Sequence, residues 1–177
     1  AIAILASYVA LELAERLRTA QGRARFVWWA GGSLAMGVGI WSMHFVGMLA
    51  FHLPVPITYD IPLVVLSVLV AIAASALALL VASRPVLPAS VLTGSGLFMG
   101  GAIVGMHYIG MAAMQLPAIL TWRPPLVIAS VLIAITASFV ALLLAFRLRR
   151  SGGGLFRWLR LWAATVMGVA IAGMHYT

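Results

Sequence analysis

Two runs in this chain carry no charge at all: IPLVVLSVLVAIAASALALLVAS at 61–83 and LVIASVLIAITASFVALLLAF at 126–146. Each is long enough to cross a hydrocarbon core of roughly 30 Å at about 1.5 Å per residue. Residues 26–51, about 90–116 and 155–177 are also long and apolar. Residues 1–14 read as a shorter, clipped version of the same thing. The expected fold is therefore all-α, a polytopic membrane bundle of six transmembrane helices. A soluble domain of 177 residues does not need 64% hydrophobic and only 8% charged residues. The first stretch is not a signal peptide: it lacks a basic start and a cleavage-like site, and Glu12 and Glu15 lie near its far end.

The net charge of +8 could suggest nucleic acid, but its distribution argues otherwise. All eleven basic residues are arginine. Arg16, Arg18, Arg23 and Arg25 lie between helices 1 and 2, Arg84 between 3 and 4, and Arg147, Arg149, Arg150, Arg157 and Arg160 between 5 and 6. Only Arg123 falls on the opposite side, with Asp60. This positive-inside pattern makes the arginine-rich side cytoplasmic and places the N-terminus and the end of helix 6 outside. The arginines set topology and contact anionic lipid. The chain has no cysteine, which removes disulfides, thiolate metal sites and iron–sulfur clusters. Any soft-metal chemistry must use methionine sulfur or histidine nitrogen.

A motif recurs along the chain. Residues 36–48 read MGVGIWSMHFVGM, 99–111 read MGGAIVGMHYIGM and 167–177 read MGVAIAGMHYT. Each has Met-Gly, then Met-His and an aromatic residue, and the two complete copies add Gly-Met. His44 and His107 are 63 residues apart, and His107 and His175 are 68 apart. Such self-similarity marks a repeated unit. Here the unit is a pair of membrane helices spanning about 1–52, 61–116 and 126–177, with the motif on the second helix. The three motifs then share one orientation and lie in the outer half of the membrane. LPVPITYDIP (53–62) and LPAILTWRPP (116–125) are proline-rich outer turns, and SGGG (151–154) is a hinge on the cytoplasmic side.

On a helix His44 and Met48 share a face, as do His107 and Met111. Met36 and Met43 are nearly aligned, as are Met99 and Met106, and Met167 and Met174. Thioether with imidazole and no carboxylate favours Cu(I), with Cu(II) accessible through the imidazoles. Magnesium and calcium want oxygen ligands, and zinc gains little from methionine. A buried polar group in a membrane marks a functional site by default, and three in register are harder to dismiss as packing. Glycines at 96, 100, 101 and 105 form two interleaved GxxxG spacings. With Gly37, Gly39, Gly47, Gly168 and Gly173 they allow close helix approach, which would let the imidazoles converge. His52 has no counterpart and reads as an exit-loop residue. Glu12 and Glu15 are expected to pair with Arg16 or Arg18. Tyr108 and Tyr176 follow their histidines where Phe45 stands in copy one, so a phenol is not required chemically in every copy.

On SYVALELAERLR (7–18), GIWSMHFVGMLAF (39–51), GMHYIGMAAM (105–114) and GMHYT (173–177), the sequence resembles the MHYT domain, a bacterial integral-membrane sensor module. The resemblance implies a bundle usually of seven helices in the bacterial inner membrane, of which the seventh is absent here. It implies fusion to cytoplasmic output modules such as cyclic-di-GMP enzymes, histidine kinases or transcription regulators, with no enzymatic activity in this chain itself. It also implies a copper site near the outer face, with sensing of oxygen, carbon monoxide or nitric oxide. The residues that carry this over are Met43, His44 and Met48, then Met106, His107 and Met111, then Met174 and His175. Which methionines touch copper stays open.

The leading expectation is thus a sensor of a diatomic gas, redox state or copper. Its expected partners are membrane lipid, a gas ligand, an output domain and a second copy in a homodimer, with no nucleic acid. A metal-ion or proton transporter needs a polar path, and the inner halves of helices 2, 4 and 6 offer mostly Gly, Ala, Trp and Met, plus Ser33, Thr93 and Ser95. A haem protein could use paired histidines, but three methionine-rich copies suit it less. A structural anchor would use the copies only for packing.

Overall fold

The structure, a computed structural model, describes residues 2–50, 56–117 and 123–148 and the single positions 162, 165, 169 and 173. Five helices follow in order: α1 (Ile2–Thr19), α2 (Gly22–Leu49), α3 (Ile61–Ala82), α4 (Ala89–Ala112) and α5 (Pro124–Leu148). Two short strands, β1 (Thr58–Tyr59) and β2 (Met114–Gln115), complete the set. The chain is an all-α bundle, and four of its described helices, α2 to α5, are long and apolar enough to cross a membrane. A lipid-spanning segment must satisfy its backbone internally, which a helix does. Trp162, Thr165, Val169 and Gly173 are helical, but most of the expected sixth helix lies outside the described residues.

Helix boundaries follow local chemistry. Gly22 opens α2 at φ +53°, a conformation L side chains rarely adopt, and so lets α1 and α2 join through Ala20 and Gln21 alone. The sequence puts Arg16, Arg18, Arg23 and Arg25 between helices 1 and 2. They instead occupy the facing ends of α1 and α2, because the connection is so short. Glu12 pairs with Arg16 at 3.5 Å and Glu15 with Arg18 at 2.6 Å. The hydrogen bond and then the charge of Glu15 hold the Arg18 guanidinium above its ordinary value. Arg16 also stands 5.0 Å over the Trp28 ring. Asp60 caps α3 by accepting from Leu63 N at 3.0 Å, and Pro62 and Pro124 sit in first turns, where a missing N–H costs nothing.

The bundle is small inside and large outside. Ser67, Ala71, Ala74 and Ser75 of α3 are buried, whereas Leu66, Leu69, Phe98, Ile128 and Leu132 are exposed at 45–60%. Large apolar side chains turned outward and small ones inward are what a lipid solvent selects. Gly37 of α2 lies against the backbone of Ile72, so that a Cβ there would stand 2.5 Å from its Cα. Gly100 of α4 meets Ile135 of α5 in the same way, at 2.7 Å. Sequence reasoning expected these glycines to draw the motif helices together. They instead draw each motif helix onto the odd-numbered helix that follows it. Gly101 and Gly105 have nothing from the described residues within 4 Å of a Cβ.

α3 therefore sits between α2 and α4, which touch one another little. Near the arginine-rich end, Ala14, Leu17, Leu79 and Ala82 form a buried cluster with Leu13, Trp29 and Met36 against it. The two helix exits at the end opposite the arginines are tied together, which the proline-rich sequence did not suggest. Thr58 pairs with Gln115 and Tyr59 with Met114 in an antiparallel ribbon, and Asp60 N donates to Ala113 O at 2.8 Å.

Candidate functional site

His44 and His107 each lie five residues before the end of their helix, α2 and α4. The flanking α3 makes these two helices parallel, so both histidines arrive at the same end of the bundle. There the two rings meet. Nδ1 of His44 is 3.3 Å from Nδ1 of His107, with ring centroids 4.9 Å apart and planes at 67°. His44 is fully buried and His107 half-buried. Two facing imidazole lone pairs repel, so this contact requires one Nδ1 to carry a proton or an ion to stand between them.

Each ring is held from behind. Phe45 stands edge-on to His44 at 5.3 Å and 90°, and Tyr108 edge-on to His107 at 5.0 Å and 82°. The Tyr108 hydroxyl lies 2.8 Å from Ser130 Oγ. Ser130 gives its own proton to Val127 O at 2.8 Å, so Tyr108 is the donor. Copy one has Phe45 in place of the phenol. There Trp41 Nε1 donates to Ser67 Oγ at 3.0 Å, and Ser67 donates to Val64 O at 2.6 Å. Both copies thus hang an aromatic donor from the motif helix onto a serine of the next helix. Tyr108 thus braces α4 against α5. Neither serine was singled out from the sequence, although their spacing of 63 repeats that of the histidines.

The expected methionines divide. Met48 and Met106 are buried, at 8% and 1% exposure, and Met43 and Met111 are half-buried. The sulfur expected to stripe the whole motif helix does not all reach one place, since Met36 packs in the cluster at the far end. Met174 and His175 lie outside the described residues, as does His52. Among the described residues, no three His, Cys, Asp or Glu side chains converge.

The ribbon reaches the site through Phe45. Tyr59 stands 5.8 Å from Phe45, which in turn stacks on Trp41 at 4.6 Å. The Tyr59 hydroxyl is buried without a hydrogen-bond partner among the described residues.

A soft metal can be tested against this arrangement. The two Nδ1 atoms stand 3.3 Å apart, so both could hold one ion between them. Buried thioethers lie on the same two motifs, and the nearest acidic residue in sequence, Asp60, is spent on capping α3. Two imidazole nitrogens with no carboxylate free beside them suit a soft ion such as Cu(I) better than a hard cation.

Comparison with known proteins identifies the family. The family model for MHYT, described as a bacterial signalling protein N-terminal repeat, matches twice, at residues 37–95 and 100–156. The chain belongs to the MHYT family. The two matches begin at the glycines of the two motifs and mark the same internal repeat. Among curated relatives of this MHYT chain, the bifunctional diguanylate cyclase/cyclic di-GMP phosphodiesterase MucR of Pseudomonas aeruginosa is 50% identical over 176 residues, 99% of this chain and 26% of the relative. The cyclic di-GMP phosphodiesterase NbdA of the same organism is 41% identical, over 99% of this chain and 22% of the relative. The signaling protein YkoW of Bacillus subtilis is 39% identical, with the same two coverages. The chain therefore spans about a quarter of the length of these relatives. No solved structure matches.

Proposed function

We propose that this MHYT chain is a membrane-embedded sensory input domain whose His44–His107 pair holds copper near the outer face. In this reading it lies in the bacterial inner membrane with its N-terminus outside and its arginine-rich ends in the cytoplasm. Six helices form three two-helix repeats, at about 1–52, 61–116 and 126–177, and a seventh helix would follow. His175 of the third repeat completes the imidazole set, and Met48, Met111, Met43, Met106 and Met174 supply the sulfur. A diatomic gas, a redox change or copper itself is the signal, and a cytoplasmic output domain receives it. The relatives named for cyclic di-GMP turnover support an output of that kind.

The carrying observation is the Nδ1 to Nδ1 distance of 3.3 Å between two separate motif helices. Bound copper would supply an open, redox-active coordination position. The chain supplies the rest. Phe45 and Tyr108 pack edge-on against the rings, Tyr59 packs on Phe45, and the ribbon ties the exits of the two motif helices. The Trp41–Ser67 and Tyr108–Ser130 bonds carry a displacement of either motif helix into α3 or α5. Switching needs a ligand that favours one helix arrangement over another.

Elemental analysis tests the reading. Protein purified without chelator and offered Cu(I) should hold copper, and the His44→Ala/His107→Ala/His175→Ala variant should not. Equal copper in both ends the proposal.

A further inference from the structure

Gly110 of α4 has no side chain, and the imidazole of His44 fills the space where one would be. A Cβ at Gly110 would collide with Nε2 of His44 and stand 2.9 Å from its Cδ2 and 3.5 Å from Cε2 of Phe45. Nε2 is thus turned onto the α4 backbone inside a fully buried ring. No ion fits on that side unless the ring or the helix moves. Nδ1 points the other way, toward Nδ1 of His107. The copy-one counterpart of this glycine, Gly47, is exposed. Copy one therefore has no buried glycine at this place.

We infer that the histidine pair binds a soft monovalent ion through Nδ1 of both rings, and that Gly110 is the positioning residue that imposes this choice of atom. The inference rests on the metal reading above and adds the coordinating atom and the residue that selects it. It also implies a tautomer change. In the metal-free pair one ring carries its proton on Nδ1 so that the other Nδ1 can accept it. With an ion on both Nδ1 atoms, that proton moves to Nε2 of the same ring, and both rings become Nε2–H. No proton is gained or lost by the pair.

The test uses the whole chain in nanodiscs, labelled with 15N at histidine and titrated with Ag(I), a diamagnetic stand-in for Cu(I). Two-bond 1H–15N spectra report each ring nitrogen, assigned with His44→Ala and His107→Ala. The Nδ1 signals of both residues should move on loading, with both rings ending as Nε2–H. Gly110→Ala should weaken Ag(I) binding by at least about tenfold, the scale of a disturbed ligand-orienting contact, while Gly101→Ala stays within about twofold. Loaded rings that carry the ion on Nε2 and the proton on Nδ1 overturn the inference, as does Gly110→Ala binding as tightly as wild type. If Gly110→Ala does not fold, the wild-type spectrum decides alone. A wild-type chain that binds neither Ag(I) nor Cu(I) overturns the metal reading itself, and this inference with it.

Discussion

The α2–α3 pair and the α4–α5 pair are the same interface built twice, 63 residues apart, with different parts. The helix contact is common to both. Gly37 on Ile72 repeats as Gly100 on Ile135. Ser67, Ala71, Ser75 and Leu79 are buried on α3, and Ser130, Ala134, Ser138 and Leu142 are buried on α5. The fittings differ. Trp41 donates to Ser67 in copy one, and Tyr108 to Ser130 in copy two. Where copy one has Ser33 and Ala76, copy two has Gly96 packed on Phe139, a smaller residue facing a larger one. Trp29 donates to Ala76 O at 3.0 Å, and its counterpart Leu92 cannot. Backbone approach is therefore held fixed while side-chain volume and hydrogen bonding are redistributed around it. At the histidine end the copies part company, because Gly110 receives a histidine and Gly47 is exposed.

The comparison can be broken first at its common element. Gly37→Ala and Gly100→Ala each drive a Cβ into a neighbouring helix backbone, and overpacking of this kind costs about 1–3 kcal/mol. Unfolding in mixed micelles should show similar losses for the two. A large loss in only one copy would mean that the interfaces are not equivalent. Next come the serines. Ser67→Ala and Ser130→Ala each strand a partly buried donor, at about 1–2 kcal/mol. Adding Tyr108→Phe to Ser130→Ala should recover most of that loss, since the phenol is what was stranded. In copy one Phe45 already lacks a hydroxyl, so recovery requires Trp41→Phe. A smaller effect separates the copies: Trp29→Phe removes one bond to Ala76 O, worth about 0.5–1.5 kcal/mol, with no equivalent loss available at Leu92. Last are Ser75→Ala and Ser138→Ala. Both hydroxyls are buried without a partner among the described residues, so their removal should be neutral or stabilising by under about 1 kcal/mol. A clear loss at either would show that the hydroxyl does bond to something in the bilayer.

Much of this was legible in the residues. The uncharged runs gave α3 and α5 to within two residues at each end, because a lipid span leaves no other option for a backbone that long. The Met-His repeat brought out His44 and His107 as a related pair, because equal spacing with parallel helices must place them at one end. The ion pairs of Glu12 and Glu15 were readable from i,i+3 and i,i+4 spacing. The partners of the glycines were not. A glycine stripe says that something approaches closely but not which helix. Gly110 carried no separate signal, since its role depends on the rotamer of a histidine on another helix. The β1–β2 ribbon was invisible because two paired residues within a proline-rich turn leave no periodicity. Thr58 and Tyr59 favour strands only weakly as a prior. The Ser67 and Ser130 struts could have been found by extending the 63-residue comparison from the motif helices to the helices after them.

The central claim is that His44 and His107, on different helices, make one site. Cu(I) titration of wild type, His44→Ala, His107→Ala and the double variant tests it most directly, with affinity and stoichiometry read for each against a competing chelator. A single shared site predicts that either substitution alone abolishes tight binding and that the double variant is no worse. Tight binding retained by either single variant, with the rest lost only in the double, would contradict it.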